Sequence, residues 1–449
     1  MTECPPNKEG ESETTIIIAP DRWGDAPRRH HYCVGLMIAL MTLVLSGPIS
    51  LRGASYALQL IFQLLFGDQA RLPCANTGRL WIQRLGLYEL TRPKEKATDW
   101  VWLADHTIQL DSVQCFLIVG CRLSDWERDR RPLTHQDLEV LLLEPGATWN
   151  GEVIRDQFLE VIQKTGVPRA ILTDGGPNLK RGITLLREQY PRVTDSSDIA
   201  HKTALILKKT LTKDERWGEF LKKSSQSRKH CAKTDLAFLA SPSLPDQARY
   251  MNIDGLLKWA TNMQHFMQTS NDGTHVEPWR VNIEFSWLHD FVQPLAEWQR
   301  LLNIAETVLH YVRWEGYHAR ASQELEGHLA PLRGQAQGDR LIDQLTDFVR
   351  EQSAAAGLGE RLPGSTECLE SLIGKGKRLE GQQSRRGFTR MILAMAAAVV
   401  KPVRDIIQTA LETVKTRDVD AWAQEKLGPS VQARRRLAFN NAAGGTKTG

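Results

Sequence analysis

Residues 100–105 read WVWLAD, an apolar run that ends in an acid. The same pattern returns at 170–174, AILTD, where two glycines follow at once. Short apolar runs bounded by turn residues are typical of buried strands. Two such strands, each ending at an aspartate, can bring Asp105 and Asp174 to one edge of a sheet.

A third acid comes much later, in the stretch STECLESLIGKGK at 365–377. We predict a helix here, with Glu370 as the acid that completes the set. Lys377 lies seven residues on, nearly two helical turns, so both side chains share one face. Carboxylate oxygens are the ligands that Mg²⁺ prefers, and three acids at one edge suit a site for two Mg²⁺ ions, with Mn²⁺ as a substitute. Three other glutamates are alternatives for the third acid: Glu367, Glu306 and Glu297.

Each of these residues also has a purely structural interpretation. An aspartate at a strand end commonly starts a turn, and an Asp-Gly pair is a common turn by itself. Glu370 and Lys377 could equally be an ordinary solvated pair on a helix surface. His106, next to Asp105, is better interpreted as a local hydrogen-bond partner than as a ligand.

The composition is that of an ordinary globular protein. The chain has 449 residues, with 41% hydrophobic and 24% charged residues, so two to four domains are expected. The net charge of +4 is compatible with a polyanionic partner. Seven cysteines show no CxxC pair and no zinc-like spacing, which favours reduced thiols and a cytoplasmic protein over a disulfide-bonded secreted one.

An apolar stretch at 34–45 follows Arg28-Arg29-His30-His31 and resembles part of a signal peptide. It is too short to span a bilayer, so we predict a buried helix and no membrane association.

The chain begins with a loose arm at 1–31 and continues with three short helices at 32–90. The third helix carries Arg79, Gln83 and Arg84, which would contact DNA if the unit is a helix-turn-helix. A plain three-helix packing unit fits the pattern equally well. A linker is predicted at 91–98.

The next block, 98–211, alternates strands with helices. Three strands in succession, then helix, strand, helix, strand and helix, is the order of an RNase H-like fold, in which the first and fourth strands are adjacent. The predicted strands are 99–106, 113–122, 138–144, 168–174 and 191–199; the predicted helices are 150–165, 177–190 and 201–211.

Strand signals vanish at 212–360, which is predicted to be an all-helical insertion with a long helix near 288–314. Residues 361–425 return to the core, with a helix from Phe388 to about Val414. A disordered tail is predicted at 426–449. The expected fold class is therefore α+β multidomain: an N-terminal helix-turn-helix, an RNase H-like mixed-sheet catalytic core interrupted by an all-α insertion, and C-terminal helices.

Several basic side chains are candidates for phosphate contacts. His201 could orient the scissile phosphate, although a buried structural histidine is equally plausible. Lys180 and Lys202 lie near predicted helix starts, where DNA backbone could approach. Further basic residues could contact DNA or form a solvated surface: Lys208, Lys209, Lys222, Lys223, Arg228, Lys229, His230 and the run Arg434–Arg436.

Five stretches together resemble the DDE transposases of bacterial insertion sequences, in the loosely classified group with an uninterrupted single-chain transposase. The resemblance covers roughly 30–425. The matching stretches are 102–109 (WLADHTIQ), 168–176 (PRAILTDGG), 198–204 (DIAHKTA), 248–259 around Arg249-Tyr250-Met251-Asn252, and 369–389 from Leu369-Glu370-Ser371 to Gly387-Phe388-Thr389.

The resemblance implies a Mg²⁺-dependent enzyme that cuts and joins the ends of its own element. Asp105, Asp174 and Glu370 would hold metal, while Lys377 and His201 would orient phosphate. The partners would be the element's inverted repeats and target DNA, bound by a homodimer or larger synaptic assembly. Two alternatives remain: a structure-selective nuclease on the same fold, and a catalytically inactive DNA-binding protein derived from a transposase.

Overall fold

The computed structural model describes residues 24–47, 49–67, 72–110, 113–243, 253–269, 277–381, 388–429 and 439, without the side chains of 66 and 107–110. Most of the predicted arm and tail lies outside these residues, as do the stretch 249–252 and Gly387.

A five-stranded mixed sheet forms the centre of the molecule. Its strands are β1 (Trp100–Leu110), β2 (Val113–Arg122), β3 (Glu139–Gly146), β4 (Ala170–Thr173) and β5 (Thr194–Ser197). The strand order is β3-β2-β1-β4-β5, with β1 antiparallel to β2 and parallel to β4. The prediction that the first and fourth strands are adjacent is confirmed.

Helices cover both faces of the sheet. Trp100, Trp102 and Ala104 of β1 pack on one face against α5 (Gly151–Thr165) and α6 (Pro177–Gln189). Val101 and Leu103 point the opposite way, because side chains alternate along a strand. They join a larger core that also includes the N-terminal and C-terminal helices.

The N-terminal helices are α1 (Val34–Leu45), α2 (Leu51–Phe66) and α3 (Ala75–Thr91). The prediction that 34–45 forms a buried helix is confirmed, since most of its apolar side chains are fully buried. None of the described helices is long and apolar enough to cross a membrane.

These three helices do not form a core of their own, which corrects the predicted separate domain at 32–90. Helix α3 packs on β3 and on α15 (Leu393–Val399), and a Cβ atom at Gly86 would lie 1.9 Å from the Leu393 carbonyl oxygen. The predicted linker is also held in place: Lys94 Nζ lies 2.6 Å from Glu89 Oε1, and both side chains are almost fully buried.

The described part of 212–360 contains helices and 3-10 turns and no strand, although Tyr317 forms an isolated β-bridge with Leu362. Between β5 and this region lies α7 (Ile199–Leu211), and between β2 and β3 lies a short α4 (Leu123–Asp129). The helices of the insertion are α8 (Glu215–Cys231), α9 (Asp254–Gln268), α10 (Pro278–Phe285), α11 (Val292–Glu315), α12 (Ala321–Leu329) and α13 (Ala336–Ser353), with 3-10 turns at Asp235–Leu239, Ser286–Phe291 and Ala330–Leu332.

The chain then returns to the sheet with α14 (Glu367–Gly381), which packs against β1. The single helix predicted from Phe388 to Val414 is wrong. The structure has a 3-10 turn at Arg390–Ile392, then α15, then α16 (Arg404–Thr413), and it ends with α17 (Thr416–Lys426). Pro402 explains the break, because proline has no N–H and disfavours a helical conformation at the residue before it.

Candidate active site

Asp105 lies within β1 rather than at its end, which corrects the predicted strand boundary. Antiparallel pairing continues past it, with Asp105 opposite Leu117 on β2. Parallel pairing with β4 stops earlier, at Leu103 and Leu172. Asp105 therefore lies two residues beyond the last residue paired with β4, at the edge where β4 ends and its chain turns away.

Asp174 follows the last residue of β4 and forms a tight turn. Its Oδ1 accepts a hydrogen bond from the Gly176 N–H at 2.8 Å, and Gly175 has φ +85°, which favours glycine. The structural interpretation of Asp174 as a turn residue is therefore correct. The turn holds the carboxylate at the sheet edge beside Asp105.

Glu370 lies in the first turn of α14, and the buried Asp198 fixes where that helix starts. Asp198 Oδ1 accepts from the Thr366 N–H at 3.0 Å, and its Oδ2 accepts from the His201 N–H at 2.8 Å. One carboxylate thus joins the start of α14 to the start of α7. The sequence could predict the hydrogen bond to His201, because an Asp at this position commonly caps the start of a helix. It could not predict the hydrogen bond to Thr366, which is far away in the sequence.

The three acids interact electrostatically. Burial, then the charge of Asp174 and that of Glu370, raise the pKa of Asp105 to about 7. Partial loss of solvent around Glu370, followed by the charges of Asp198, Glu367 and Asp174, raises the pKa of Glu370, although its side chain is exposed at the surface. The site therefore concentrates negative charge that its surroundings do not fully neutralise.

Lys377 is exposed and opposes this repulsion, because its charge lowers the pKa of both Asp105 and Glu370. This agrees with the predicted shared face of Glu370 and Lys377. His201 is half-buried, and its backbone N–H donates a hydrogen bond to the carboxylate of Asp198.

The alternative third acids have other partners. Glu367 pairs with Arg313 of α11, and Glu297 Oε2 lies 2.8 Å from Arg216. Glu306 interacts with Lys258 of α9. Of the four candidates, Glu370 is the one whose charge acts on Asp105.

His106 points to the opposite face of the sheet from Asp105. Its ring lies against Phe116 and Trp149, at centroid distances of 5.1 and 5.6 Å. Burial lowers the pKa of His106, and Asp174 opposes that shift. The predicted hydrogen-bonding role is not seen for Nε2, which is buried without a hydrogen-bond partner in the described part of the chain.

The predicted DNA-reading helix faces the protein interior, which corrects the expected contacts of Gln83 and Arg84. Gln83 is buried, and Arg84 donates to the Val414 carbonyl at 2.6 Å and to the Leu411 carbonyl. Both side chains serve the packing of α3 against the C-terminal helices. Arg79 is half-buried, and its DNA contact remains a prediction.

Two predicted phosphate contacts are also engaged elsewhere. Lys180 Nζ lies 2.7 Å from Asp195 Oδ1 and donates to Ser197 Oγ at 2.9 Å, so it ties α6 to β5. Lys202 Nζ lies 4.9 Å from the centre of the Phe348 ring, a cation–π contact with the insertion. Neither cation is free for phosphate in this arrangement.

Helix α8 carries a basic surface, and the order of basic residues at 222–230 did not show which of them lie on one side of the helix. Its buried residues are Trp217, Phe220, Ser224, Ser227 and Cys231. Lys222 and Lys229 are exposed, and helical geometry places them directly opposite that buried face; Lys233 is exposed two residues after the helix ends. None of the three forms an ion pair within the described residues. We call this surface the α8 lysine stripe.

The chemistry of the acidic site fits a divalent cation, since the charges of Asp174 and Glu370 raise the pKa of Asp105 and a cation would relieve that repulsion. The ligands are not gathered at bonding distance, however. Across the residues that the structure describes, no group of three or more His, Cys, Asp or Glu side chains is arranged to hold a metal ion.

The sequence matches no protein-family model and no curated protein. Among solved structures, the chain is similar to the Drosophila P element transposase strand transfer complex, with 11% sequence identity and a TM-score of 0.39. The superposition covers 86% of this chain and 93% of that one. A superposition this loose does not bear on what the site does.

Proposed function

We propose that this chain is a DDE-type DNA transposase with an RNase H-like core, a polynucleotidyl transferase that cleaves and joins insertion-sequence ends. The observation that supports the proposal is that the charges of Asp174 and Glu370 act on Asp105 near the edge between β1 and β4, although the three acids are far apart along the sequence. The sheet order β3-β2-β1-β4-β5 supports the same fold class.

Asp105 and Asp174 would hold Mg²⁺, and Glu370 would complete the ligand set. The chemistry that Mg²⁺ supplies at such a site is activation of a water or 3′-hydroxyl nucleophile and stabilisation of the leaving oxygen. Asp198 would hold α14 in place so that Glu370 stays near the two aspartates. Lys377, exposed beside the acids, would attract the phosphodiester through its charge.

Double-stranded DNA is the proposed substrate, and the α8 lysine stripe is the surface proposed to contact its backbone. Lys222, Lys229 and Lys233 form no ion pair within the described residues, and a row of lysines suits a repeating line of phosphates better than it suits a small ligand. This replaces Gln83, Arg84, Lys180 and Lys202 as the expected source of DNA contacts. Joining two DNA ends would require two copies of the chain.

The test is strand cleavage and strand transfer on DNA that flanks the gene, in Mg²⁺ and in Mn²⁺. We expect D105N, D174N and E370Q each to abolish both reactions while leaving DNA binding intact. E367Q is the matched control, because Glu367 lies one turn from Glu370 but pairs with Arg313. It should retain most activity. Full activity of D105N or D174N, or loss with E367Q and not with E370Q, would contradict the assigned site.

A second candidate is a transposase-derived DNA-binding protein without catalysis. It is favoured by the lack of a preassembled three-ligand group among the described residues. Binding of Mn²⁺ separates the two, measured by calorimetry at neutral pH in the absence of DNA. A transposase should bind Mn²⁺ as the wild type and lose that binding in D105N. A non-catalytic protein should show no difference between the wild type and D105N.

A further inference from the structure

The outer side of α2 is apolar and exposed. Its inner side, with Leu51, Ala54 and Leu58, is buried in the core. Five large apolar side chains have relative exposures of 45% to 76%: Tyr56, Leu60 and Leu64 lie on the outer side, and Ile61 and Leu65 follow the line of Ala54 and Leu58 in the last turns of the helix. An isolated exposed leucine is ordinary, but five on one helix form a continuous apolar surface.

We propose that this surface, called here the α2 patch, is the interface between two copies of the chain. The patch is defined without reference to the acidic site, so it holds whatever reaction the protein performs. Failure of this proposal would leave the proposed strand cleavage unaffected, because only the joining of two DNA ends requires a second copy of the chain.

The size of the patch fits a pair of copies. Five side chains with these exposures present roughly 500 Å², about as much as the largest apolar patch on a typical monomer. Two such patches together reach about 1,000 Å², where specific protein interfaces begin. A second copy supplies an equal area of the same character, since a twofold interface uses one surface twice.

The charge pattern also favours a second copy. From Gly53 to Gly67 the sequence GASYALQLIFQLLFG contains no charged residue. A charged partner surface would lose its hydration there without gaining an ion pair. The same uncharged surface on a second copy carries no charge to be buried. Helices that lie on membranes usually carry several Lys and Arg residues, and α2 has Arg52 alone.

The spacing defines how two copies would meet. Tyr56, Leu60 and Leu64 are four residues apart, so they form one ridge along the helix. An antiparallel pair with its twofold axis at Leu60 would place Tyr56 against Leu64 of the partner subunit. Ridges of this type pack into each other at a crossing angle near −50°.

The experiment is sedimentation velocity of the full chain at micromolar concentration. We expect the wild type to be a dimer and L60E/L64E to be a monomer with an unchanged melting temperature, because both side chains are already exposed. L358E is the matched control, since Leu358 is fully exposed and lies far along the chain from α2. It should remain a dimer.

A second measurement does not depend on a disruptive substitution. L60C should form a disulfide-linked dimer under mild oxidation, because residue 60 lies on the proposed axis, while L358C should not exceed the wild-type background. A monomeric wild type, or a dimeric L60E/L64E, overturns the proposal. Flotation of the wild type with anionic vesicles would show that the patch binds lipid. Dimerisation only after removal of residues 1–23 would show that this segment covers the patch. Either result also overturns the proposal.

Discussion

Replacing Asp105 with asparagine should make the protein more stable at neutral and alkaline pH, although it removes the central acid of the site. In the folded chain burial, Asp174 and Glu370 disfavour the ionised form of Asp105 and raise its pKa from 3.8 to about 7. Asparagine has nearly the same shape and carries no charge. The substitution therefore removes a repulsion that the native chain maintains.

The sign follows from proton binding. Between pH 3.8 and about 7 the folded state holds a proton on Asp105 that the unfolded state has released, so wild-type stability falls as pH rises through this window. A shift of this size corresponds to at most about 4 kcal/mol at alkaline pH, at ~1.4 kcal/mol per pKa unit. Water near the sheet edge reduces that figure, and we expect a gain of about 2 kcal/mol.

The assay is thermal unfolding of wild type and D105N in EDTA, at about pH 5 and about pH 8. D105N should melt a few degrees higher at the alkaline pH, and the difference should shrink at the acidic pH. Mg²⁺ should raise the wild-type melting temperature at alkaline pH and leave D105N nearly unchanged. A D105N protein that is equally or less stable than the wild type at alkaline pH would refute the electrostatic reasoning.

Asp137 provides a control of opposite sign. Despite its partial burial, hydrogen bonds and ion pairing with Arg131 and contacts with Thr134 lower the pKa of Asp137 to about 2. Its ionised form therefore stabilises the fold above about pH 4, and that stability is lost as pH falls toward 2. D137N should melt lower than the wild type at both assay pH values.

Three further outcomes are expected. D198A should lose about 2 kcal/mol or more in urea unfolding, because it leaves two backbone N–H groups without their acceptor; D198N, which keeps one acceptor oxygen, should lose less, and equal losses would contradict this role. G86A should reduce soluble yield and stability sharply, since its Cβ would collide with the Leu393 carbonyl, whereas G374A at an open helix position should be tolerated. Neutralising the α8 lysine stripe to glutamine should lower the slope of log affinity for DNA against log salt by roughly 2 to 3, and an unchanged slope would exclude it as a backbone contact.

The sheet could be predicted from the sequence because β2, β3 and β4 are apolar and are bounded by turn residues. Strand β2 was predicted at its observed bounds, and β4 with its Asp-Gly turn within a few residues. The predicted strand at 99–106 ends four residues before β1 does, since a charged residue inside a strand resembles an end when the strand partner is unknown. The pairing of Asp105 with Leu117 depends on how two strands meet in the folded chain, and the residues around Asp105 do not predict it.

The N-terminal helices show what periodicity does not determine. Three helices were predicted at 32–90 and three are observed, but the side of α3 that faces the protein was not predicted. Arg79, Gln83 and Arg84 fit an exposed polar face, yet Arg84 donates to carbonyl groups more than 300 residues away. Residues that cap distant helix ends look the same in the sequence as residues that contact DNA.

Helix α14 connects the acidic site to the N-terminal helices through its two sides. Glu370 and Lys377 lie toward the sheet edge, while Lys375 donates to the Leu45 carbonyl at 3.3 Å and Arg378 donates to the Val44 carbonyl at 3.2 Å. Cations at these carbonyl groups complement the negative end of the α1 dipole. A shift of α1 would therefore displace the helix that carries Glu370. Helix α2 packs on α1, so assembly through the α2 patch would affect the position of Glu370 through α1 and α14. A DNA-binding domain on a free linker would leave the acidic site undisturbed.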